Sequence, residues 1–182
     1  MRVVEVFHSL QGEGTLVGVP SVFVRLAGCP LRCRWCDTAY AWDYSTGDEL
    51  DPAGIVERIR HWPCSHVVLT GGEPLVGENL AVRQGIVGLT HCLKALGKHV
   101  TIETAGILFV PDLACDLMSI SPKLGSAALL SNHQIVRADP TVLSRLIATY
   151  PCQLKFVIES PGDIDEVQGL LGSLGPDRKS VV

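Results

Sequence analysis

The sequence predicts an α/β fold in which about six to seven mostly parallel strands form part of a TIM-like (β/α) barrel. Three observations lead to this expectation. Short segments rich in Val and Ile alternate with amphipathic, helix-like segments. Strands joined by helical crossovers must run parallel, and their serial order shows no obvious reversal. A chain of 182 residues, 47% of them hydrophobic, can also bury a core of its own.

Strands are predicted where Val and Ile cluster in runs of five to seven residues. These runs read as buried on both faces. They occupy residues 3–7, 21–27, 66–70, 99–104, 116–121 and 153–158.

Helices are predicted between the strands from their starting and stopping residues. Asp51-Pro52 and Asp139-Pro140 each pair an N-cap residue with a proline at the first helical position. A third helix is expected from Asn79 to about Leu96, where Gly97 ends it. A fourth covers IDEVQGLLGSL and stops at Gly175-Pro176.

Composition excludes several classes of protein. A net charge of −4 argues against a main role in binding nucleic acid or anionic lipid, which favours a basic surface. No apolar run reaches the length of a membrane span, and Glu5 interrupts the stretch where a signal peptide would be apolar. We therefore expect a cytoplasmic protein with a small-molecule partner. Seven cysteines without a secretion signal indicate reduced thiols.

Three of those cysteines lie in the stretch CPLRCRWC, residues 29–36, directly after the second predicted strand. This is the rim where barrel enzymes assemble their active sites. A structural zinc site needs a fourth ligand, and the candidates His61, Cys64 and His66 lie at no familiar spacing. Unliganded buried thiols are a second alternative. The third is a [4Fe–4S] cluster held by Cys29, Cys33 and Cys36, whose open iron would bind S-adenosylmethionine. The remaining cysteines are expected to be small core residues, at positions 64, 92, 115 and 152.

The C-x3-C-x2-C pattern, with Trp35 before its last cysteine, resembles the radical S-adenosylmethionine (radical SAM) superfamily. A second element of that superfamily follows strand HVVLT, where residues 70–74 read TGGEP. The resemblance implies that this loop receives the methionyl end of S-adenosylmethionine. Glycines let backbone groups approach a ligand closely, and Glu73 is suited to accept a hydrogen bond from the cofactor's ammonium.

Residues 7–38, and above all Ser9-Leu10-Gln11-Gly12-Glu13-Gly14, resemble the 7-carboxy-7-deazaguanine synthase family. This resemblance implies the conversion of 6-carboxy-5,6,7,8-tetrahydropterin to 7-carboxy-7-deazaguanine with loss of ammonia, on the route to queuosine and related deazapurines. It also implies a homodimer, a reducing partner such as flavodoxin or ferredoxin, and Mg²⁺ bound at Thr38. From residue chemistry alone, Asp37 would be the expected magnesium ligand.

The resemblance also suggests site residues. Arg25 stands in an otherwise apolar strand, where a charged side chain needs a partner, and the carboxylate of the substrate would supply it. Expected substrate-binding residues are Leu10, Gln11, Gly12, Glu13, Arg25 and Thr70. Expected cofactor-binding residues are Trp35, Cys36, Asp37, Gly71, Gly72, Glu73, Glu103, Ser121, Pro122 and Lys123. No catalytic residue is expected beyond the cluster and S-adenosylmethionine.

The resemblance runs from Val4 to about Leu174, and the family continues beyond the point where this sequence stops. We therefore expect residues 1–182 to form one radical SAM domain that lacks its C-terminal strand and tail, with RKSVV starting a strand. Two other functions remain as alternatives. One is a radical SAM activating enzyme acting on a protein, which should lack the QGEG run. The other is a non-catalytic iron–sulfur or zinc module, which would leave TGGEP and Arg25 unexplained.

Overall fold

Seven strands form one sheet in the computed structural model, which describes residues 1–77, 79–128 and 138–175. The strands are β1 (Arg2–Leu10), β2 (Pro20–Leu26), β3 (Asp48–Glu49), β4 (His66–Gly71), β5 (His99–Thr104), β6 (Leu117–Ile120) and β7 (Cys152–Leu154). Their order across the sheet is β3-β1-β2-β4-β5-β6-β7, and β2, β4, β5, β6 and β7 pair in parallel. The two ends of the sheet do not pair with each other, so the predicted partial barrel is confirmed.

The first strand departs from the expected serial order, because β1 runs antiparallel to β2. Residues 11–19 connect them, and a connection of that length is too short for a helical crossover. β1 is also not buried on both faces, since much of it is half-buried or exposed. Sequence reasoning missed β3, whose two residues pair with Arg2 and Val3.

The last predicted strand is shorter than expected. β7 ends at Leu154, whereas the sequence suggested a strand to residue 158. Val157 and Ile158 are exposed, so this apolar run is not packed in a sheet. The predicted strand start in residues 178–182 and the predicted stop at Pro176 lie outside the described residues.

Among the described residues, four helices pack against the sheet: α1 (Pro52–Ile59), α2 (Leu80–Ala95), α3 (Pro140–Thr149) and α4 (Pro161–Ser173). The predicted N-caps Asp51 and Asp139 are confirmed, because each side chain accepts a hydrogen bond from a backbone N–H of the first helical turn. Asn79, predicted only as the start of the third helix, caps α2 in the same way. None of the helices in the described ranges has the length and apolar character that crossing a bilayer requires.

The core lies between these helices and the sheet, and its strand residues include Val24, Leu69, Ile102 and Ile120. Of the four cysteines expected there, Cys64 is buried and two are half-buried, but Cys92 is exposed. On α2 the side chains of Leu89 and Leu93 face the core, which turns Cys92 toward solvent. The parallel strands bring their carboxyl ends to one edge of the sheet, where the polar sequence motifs follow.

Candidate active site

A cavity of about 630 Å³ opens at the carboxyl ends of the parallel strands. The predicted site residues meet here. All of them except Pro122, which is buried, line this cavity. Residues outside the predicted site set also line it: Phe7, Ser9, Phe23, Leu31, Trp42, Thr104, Ala105, Ser119, Lys155, Val157 and Glu159. Lys155 directly follows β7, but the predicted strand ran to residue 158, so the sequence did not show that Lys155 stands at a strand end.

The three cysteines of CPLRCRWC come from one loop after β2. Cys29 and Cys33 are buried, while Cys36 is half-buried, with Sγ 3.7 Å from Oγ1 of Thr38. Burial raises the pKa of the Cys29 thiol to about 11, and it also raises the pKa of Cys33. Cys33 also forms an antiparallel β-bridge with Ala128, which fixes this part of the loop to the segment that follows β6.

The glycine loop after β4 presses directly against the start of the cysteine loop. Gly72 N donates to the carbonyl of Leu26 (2.9 Å), and Glu73 N donates to the carbonyl of Gly28 (2.8 Å). A Cβ atom on Gly72 would lie 2.2 Å from the carbonyl oxygen of Gly28, closer than any real contact. Gly71 has a φ of +137°, a conformation that side chains disfavour. The two motifs therefore form one backbone cradle.

Glu73 secures this cradle to the neighbouring strand. Its carboxylate is 2% exposed and accepts hydrogen bonds from Thr104 Oγ1 (2.6 Å), Ala105 N (2.6 Å) and Leu75 N (3.2 Å). Burial raises the pKa of Glu73, although these hydrogen bonds and Lys123 oppose the rise. The expected contact between Glu73 and a cofactor ammonium stays a prediction, but the carboxylate also has a structural role that the sequence did not reveal.

Replacing Glu73 with alanine is expected to lower the free energy of unfolding by about 3 kcal/mol, because buried donors lose their acceptor. Glu73→Gln keeps one acceptor oxygen, so its loss should be smaller. Urea unfolding of the two variants measures the difference, and the exposed carboxylate of Glu57, which pairs with Arg60 at 3.1 Å, gives the control Glu57→Ala. An unchanged midpoint for Glu73→Ala would contradict the structural role.

A hydrogen-bonded chain joins the QGEG loop to β4 and β5. Gln11 is buried and its Nε2 donates to Oε1 of Glu103 (3.0 Å), while Thr70 Oγ1 donates to Oε2 of the same carboxylate (2.8 Å). Gln11 also accepts from the backbone N of Glu13 (3.2 Å). Glu103 therefore holds two of the predicted substrate-binding side chains at fixed positions.

The same loop reaches across the sheet to β7. Thr15 N donates to Oε1 of Gln153 (2.8 Å), and the Glu13 carboxylate pairs with Lys155 Nζ (2.7 Å). This ion pair lowers the pKa of Glu13. The QGEG loop thus forms one wall of the cavity, with its polar side chains anchored at both ends.

Arg25 does have the partner that its apolar strand requires, and that partner is Glu5. Arg25 Nε donates to Oε1 of Glu5 at 2.6 Å, and the Arg25 side chain is only 14% exposed. The two residues stand opposite each other on β1 and β2. The sequence had suggested a substrate carboxylate as the partner, and that contact remains a prediction.

The opposite wall carries Trp35, Ser121 and Lys123. Lys123 Nζ donates to Ser121 Oγ (3.0 Å) and lies 5.0 Å from the centre of the Trp35 ring. Burial lowers the pKa of Lys123, while the nearby Cys33 and Glu73 act in the opposite direction. Trp35 Nε1 is buried without a hydrogen-bond partner among the described residues, so this wall has a donor that a ligand can satisfy.

These residues fit a [4Fe–4S] cluster with S-adenosylmethionine better than a single metal ion. Within residues 1–77, 79–128 and 138–175, no three Cys, His, Asp or Glu side chains are arranged to hold one ion. A cluster does not need such convergence, because each thiolate binds a different iron. Trp35, with its unpaired Nε1 donor, and the half-buried Gly71 and Gly72 line the same cavity as the three cysteines, where the cofactor would bind.

Comparison with known proteins decides the family. A family model of the Radical SAM superfamily matches residues 23–124. The chain is 40% identical to 7-carboxy-7-deazaguanine synthase of Halobacterium salinarum, over 93% of this chain and 68% of that protein. It is also 40% identical to the Pyrobaculum aerophilum enzyme of the same name, over 100% of this chain and 77% of that protein. This chain belongs to the 7-carboxy-7-deazaguanine synthase family.

The fold agrees with that family. The crystal structure of QueE from Escherichia coli superposes with a TM-score of 0.77 at 27% identity, covering 99% of this chain and 81% of that chain. Membership of the radical SAM superfamily makes the chain an enzyme that uses a [4Fe–4S] cluster and S-adenosylmethionine. A zinc or non-catalytic iron–sulfur module is therefore ruled out as its function.

Proposed function

We propose that this enzyme converts 6-carboxy-5,6,7,8-tetrahydropterin to 7-carboxy-7-deazaguanine with release of ammonia, in deazapurine and queuosine biosynthesis. The relatives that carry this activity in their names support the proposal. The observation that carries it is a single cavity lined by both the cysteine loop and the QGEG loop. A radical SAM activating enzyme that acts on a protein would not need this polar QGEG wall, which suits a small polar molecule.

The cysteine side of the cavity would hold the cofactors. Cys29, Cys33 and Cys36 are the protein ligands expected for the cluster. When bound, the cluster and S-adenosylmethionine supply the one-electron chemistry that starts the ring contraction. The backbone of the glycine cradle would receive the methionyl end of S-adenosylmethionine, and Trp35, Asp37, Ser121, Pro122 and Lys123 would surround the rest.

The opposite side would hold the substrate. A pterin edge carries donors and acceptors in alternation, and Gln11, Thr70 and Glu103 offer both kinds in a connected network. Glu103 was expected among the cofactor contacts, but we assign it to the substrate side, because Gln11 and Thr70 both donate hydrogen bonds to its carboxylate. Leu10 and Gly12 would bind the substrate through backbone groups. Glu13 would bind it through its carboxylate, which is also paired with Lys155.

Arg25 would bind the carboxylate of the substrate. Its hydrogen bonds with described residues come from Nε alone, which leaves both terminal amino groups for an acceptor in the cavity. Two parallel N–H donors match the two oxygens of a carboxylate. A buried anion without such a partner would be strongly disfavoured.

Further parts of the proposal concern ions, partners and location. Thr38 lines the cavity beside Cys36 and would offer its hydroxyl to Mg²⁺, which takes few protein ligands and keeps several waters. Asp37 is exposed and would contact the ion through water. A homodimer, a flavodoxin-like or ferredoxin-like reductant and a cytoplasmic location complete the proposal, with residues 1–182 acting as one radical SAM domain.

The test is anaerobic reconstitution with iron and sulfide, followed by incubation with reductant, S-adenosylmethionine, Mg²⁺ and 6-carboxytetrahydropterin. Mass spectrometry should detect 7-carboxy-7-deazaguanine. Arg25→Gln should raise the KM for the pterin by about 100-fold, since a desolvated ion pair is lost, while the KM for S-adenosylmethionine stays unchanged. A fully loaded protein that forms no product would contradict the proposal.

A further inference from the structure

Glu5 binds the Nε edge of the Arg25 guanidinium, and Tyr40 in turn binds Glu5. Oε1 of Glu5 accepts from Arg25 Nε (2.6 Å) and also from the hydroxyl of Tyr40 (2.7 Å). Burial raises the pKa of Glu5, but the hydrogen bonds from Arg25 and Tyr40 outweigh it and lower the pKa overall. Glu5 is therefore an ionised acceptor with two donors on one oxygen.

Two aromatic rings flank the guanidinium. Its central carbon lies 5.7 Å from the ring centre of Phe7 and 6.0 Å from that of Tyr40. Phe7 in turn stacks on Phe23, with ring centres 5.0 Å apart and planes within 7°. Phe7 and Phe23 stand opposite each other on β1 and β2, as Glu5 and Arg25 do. The guanidinium therefore sits in a frame of cross-strand pairs.

These contacts fix the orientation of the Arg25 guanidinium, which is planar and carries five N–H donors. An Arg side chain has several rotatable bonds, and a terminal fork recognises a carboxylate only when its plane is correctly set. A charge-assisted hydrogen bond on Nε defines that plane and leaves the terminal amino groups free for the cavity. Tyr40 lies outside the sheet and fixes Glu5 in the same way that Glu5 fixes Arg25.

We propose that Glu5, held by Tyr40, is a positioning residue that presents the terminal amino groups of Arg25 to the carboxylate of the pterin substrate. This inference rests on the proposed function. Charge alone makes the opposite prediction, because removing the negative Glu5 would strengthen the attraction between Arg25 and an anion. The sign of the change in affinity therefore separates positioning from simple neutralisation.

The experiment compares two ligands that differ only in the group concerned: 6-carboxytetrahydropterin and tetrahydropterin without the carboxyl group. Equilibrium dissociation constants are measured anaerobically on the reconstituted enzyme in the presence of S-adenosylmethionine. Their ratio reports on carboxylate recognition. In Glu5→Ala the preference for the carboxylated ligand should fall about tenfold, the loss expected when one charge-assisted contact is misplaced. Affinity for the ligand without the carboxyl group should hardly change.

Conservative variants test positioning directly. Glu5→Gln keeps an acceptor oxygen, so it should retain the preference within about threefold of the parent. Tyr40→Phe removes only the hydroxyl of an exposed side chain and should lower the preference by about threefold. Because Tyr40→Phe alters no buried atom, it keeps the inference open to contradiction even if Glu5→Ala folds poorly.

A matched control exists on the neighbouring strand β3. Glu49 pairs with Arg2 at 3.9 Å, the two stand opposite each other on β3 and β1, and neither lines the active-site cavity. Glu49→Ala should leave the ligand preference unchanged. A parent enzyme that does not distinguish the two pterins would overturn the proposed function and this inference with it. If the parent enzyme prefers the carboxylated pterin and Glu5→Ala keeps or increases that preference, the inference about Glu5 is overturned and the proposed function stands.

Discussion

Replacing Cys33 with alanine is expected to give a folded protein that holds no [4Fe–4S] cluster and forms no 7-carboxy-7-deazaguanine. Cys33 is one of three thiols that a single loop brings to the cavity, and none of the four other cysteines lines it. A site with three protein ligands has no substitute for a missing one. The side chain is small, so its removal should cost about 1 kcal/mol of stability.

Iron and sulfide content, the visible absorbance of the cluster and product formation measure this effect. Cys92→Ala is the matched control, because Cys92 is an exposed cysteine on α2. That variant should bind a full cluster and turn over like the parent. A cluster-loaded, active Cys33→Ala protein would contradict the assignment of the three ligands, whereas loss of the cluster in both variants would indicate damage unrelated to the loop.

Gly72→Ala is expected to lower activity by at least about 100-fold, because small displacements of groups that position reactants have effects of that size. The new Cβ would lie 2.2 Å from the carbonyl oxygen of Gly28 and 3.0 Å from that of Ala41. Both neighbours are backbone atoms, so the chain itself must shift. Gly28 directly precedes Cys29, one of the three proposed cluster ligands, and the cysteine loop would therefore move with it.

Two measurements besides turnover report on this displacement. Cluster content after reconstitution should fall, and the free energy of unfolding should decrease by about 1–3 kcal/mol through overpacking. Gly88→Ala is the control: Gly88 lies within α2, where a Cβ would meet nothing closer than 3.9 Å. It should stabilise the protein by about 0.5–1 kcal/mol. A Gly72→Ala enzyme with normal cluster content and activity would contradict the proposed cradle.

Sequence reasoning located most of the site because strand ends share an edge. CPLRCRWC follows a predicted strand, while TGGEP, Glu103 and residues 121–123 lie at the carboxyl ends of other predicted strands. Parallel pairing brings all of them together without further information. The same reasoning failed at β1, because hydrophobic runs do not reveal direction. The direction of β1 could be inferred only from residues 11–19, because this connection is too short for a helical crossover and β1 must therefore run antiparallel to β2.

The partners of the site's charged side chains depend on the tertiary structure. Gln11 and Glu103 are 92 positions apart, and Glu13 and Lys155 are 142 apart. No local pattern links such residues, since their contact depends on the order and twist of the strands between them. Arg25 illustrates the point. Its apolar strand predicted a partner, but pairing across β1 and β2 supplied Glu5.

By itself, the sequence determined the chemistry of this protein: three thiols in one loop, a glycine turn suited to close backbone approach, and a polar loop that the 7-carboxy-7-deazaguanine synthase family shares. Local order and residue type suffice for these features, because each is encoded in a few consecutive residues. The tertiary structure alone decided which acceptor each donor meets, and thus that Glu73 secures the cradle and that Glu5 holds Arg25. Burial and sheet register set those contacts, and neither can be read from neighbouring residues.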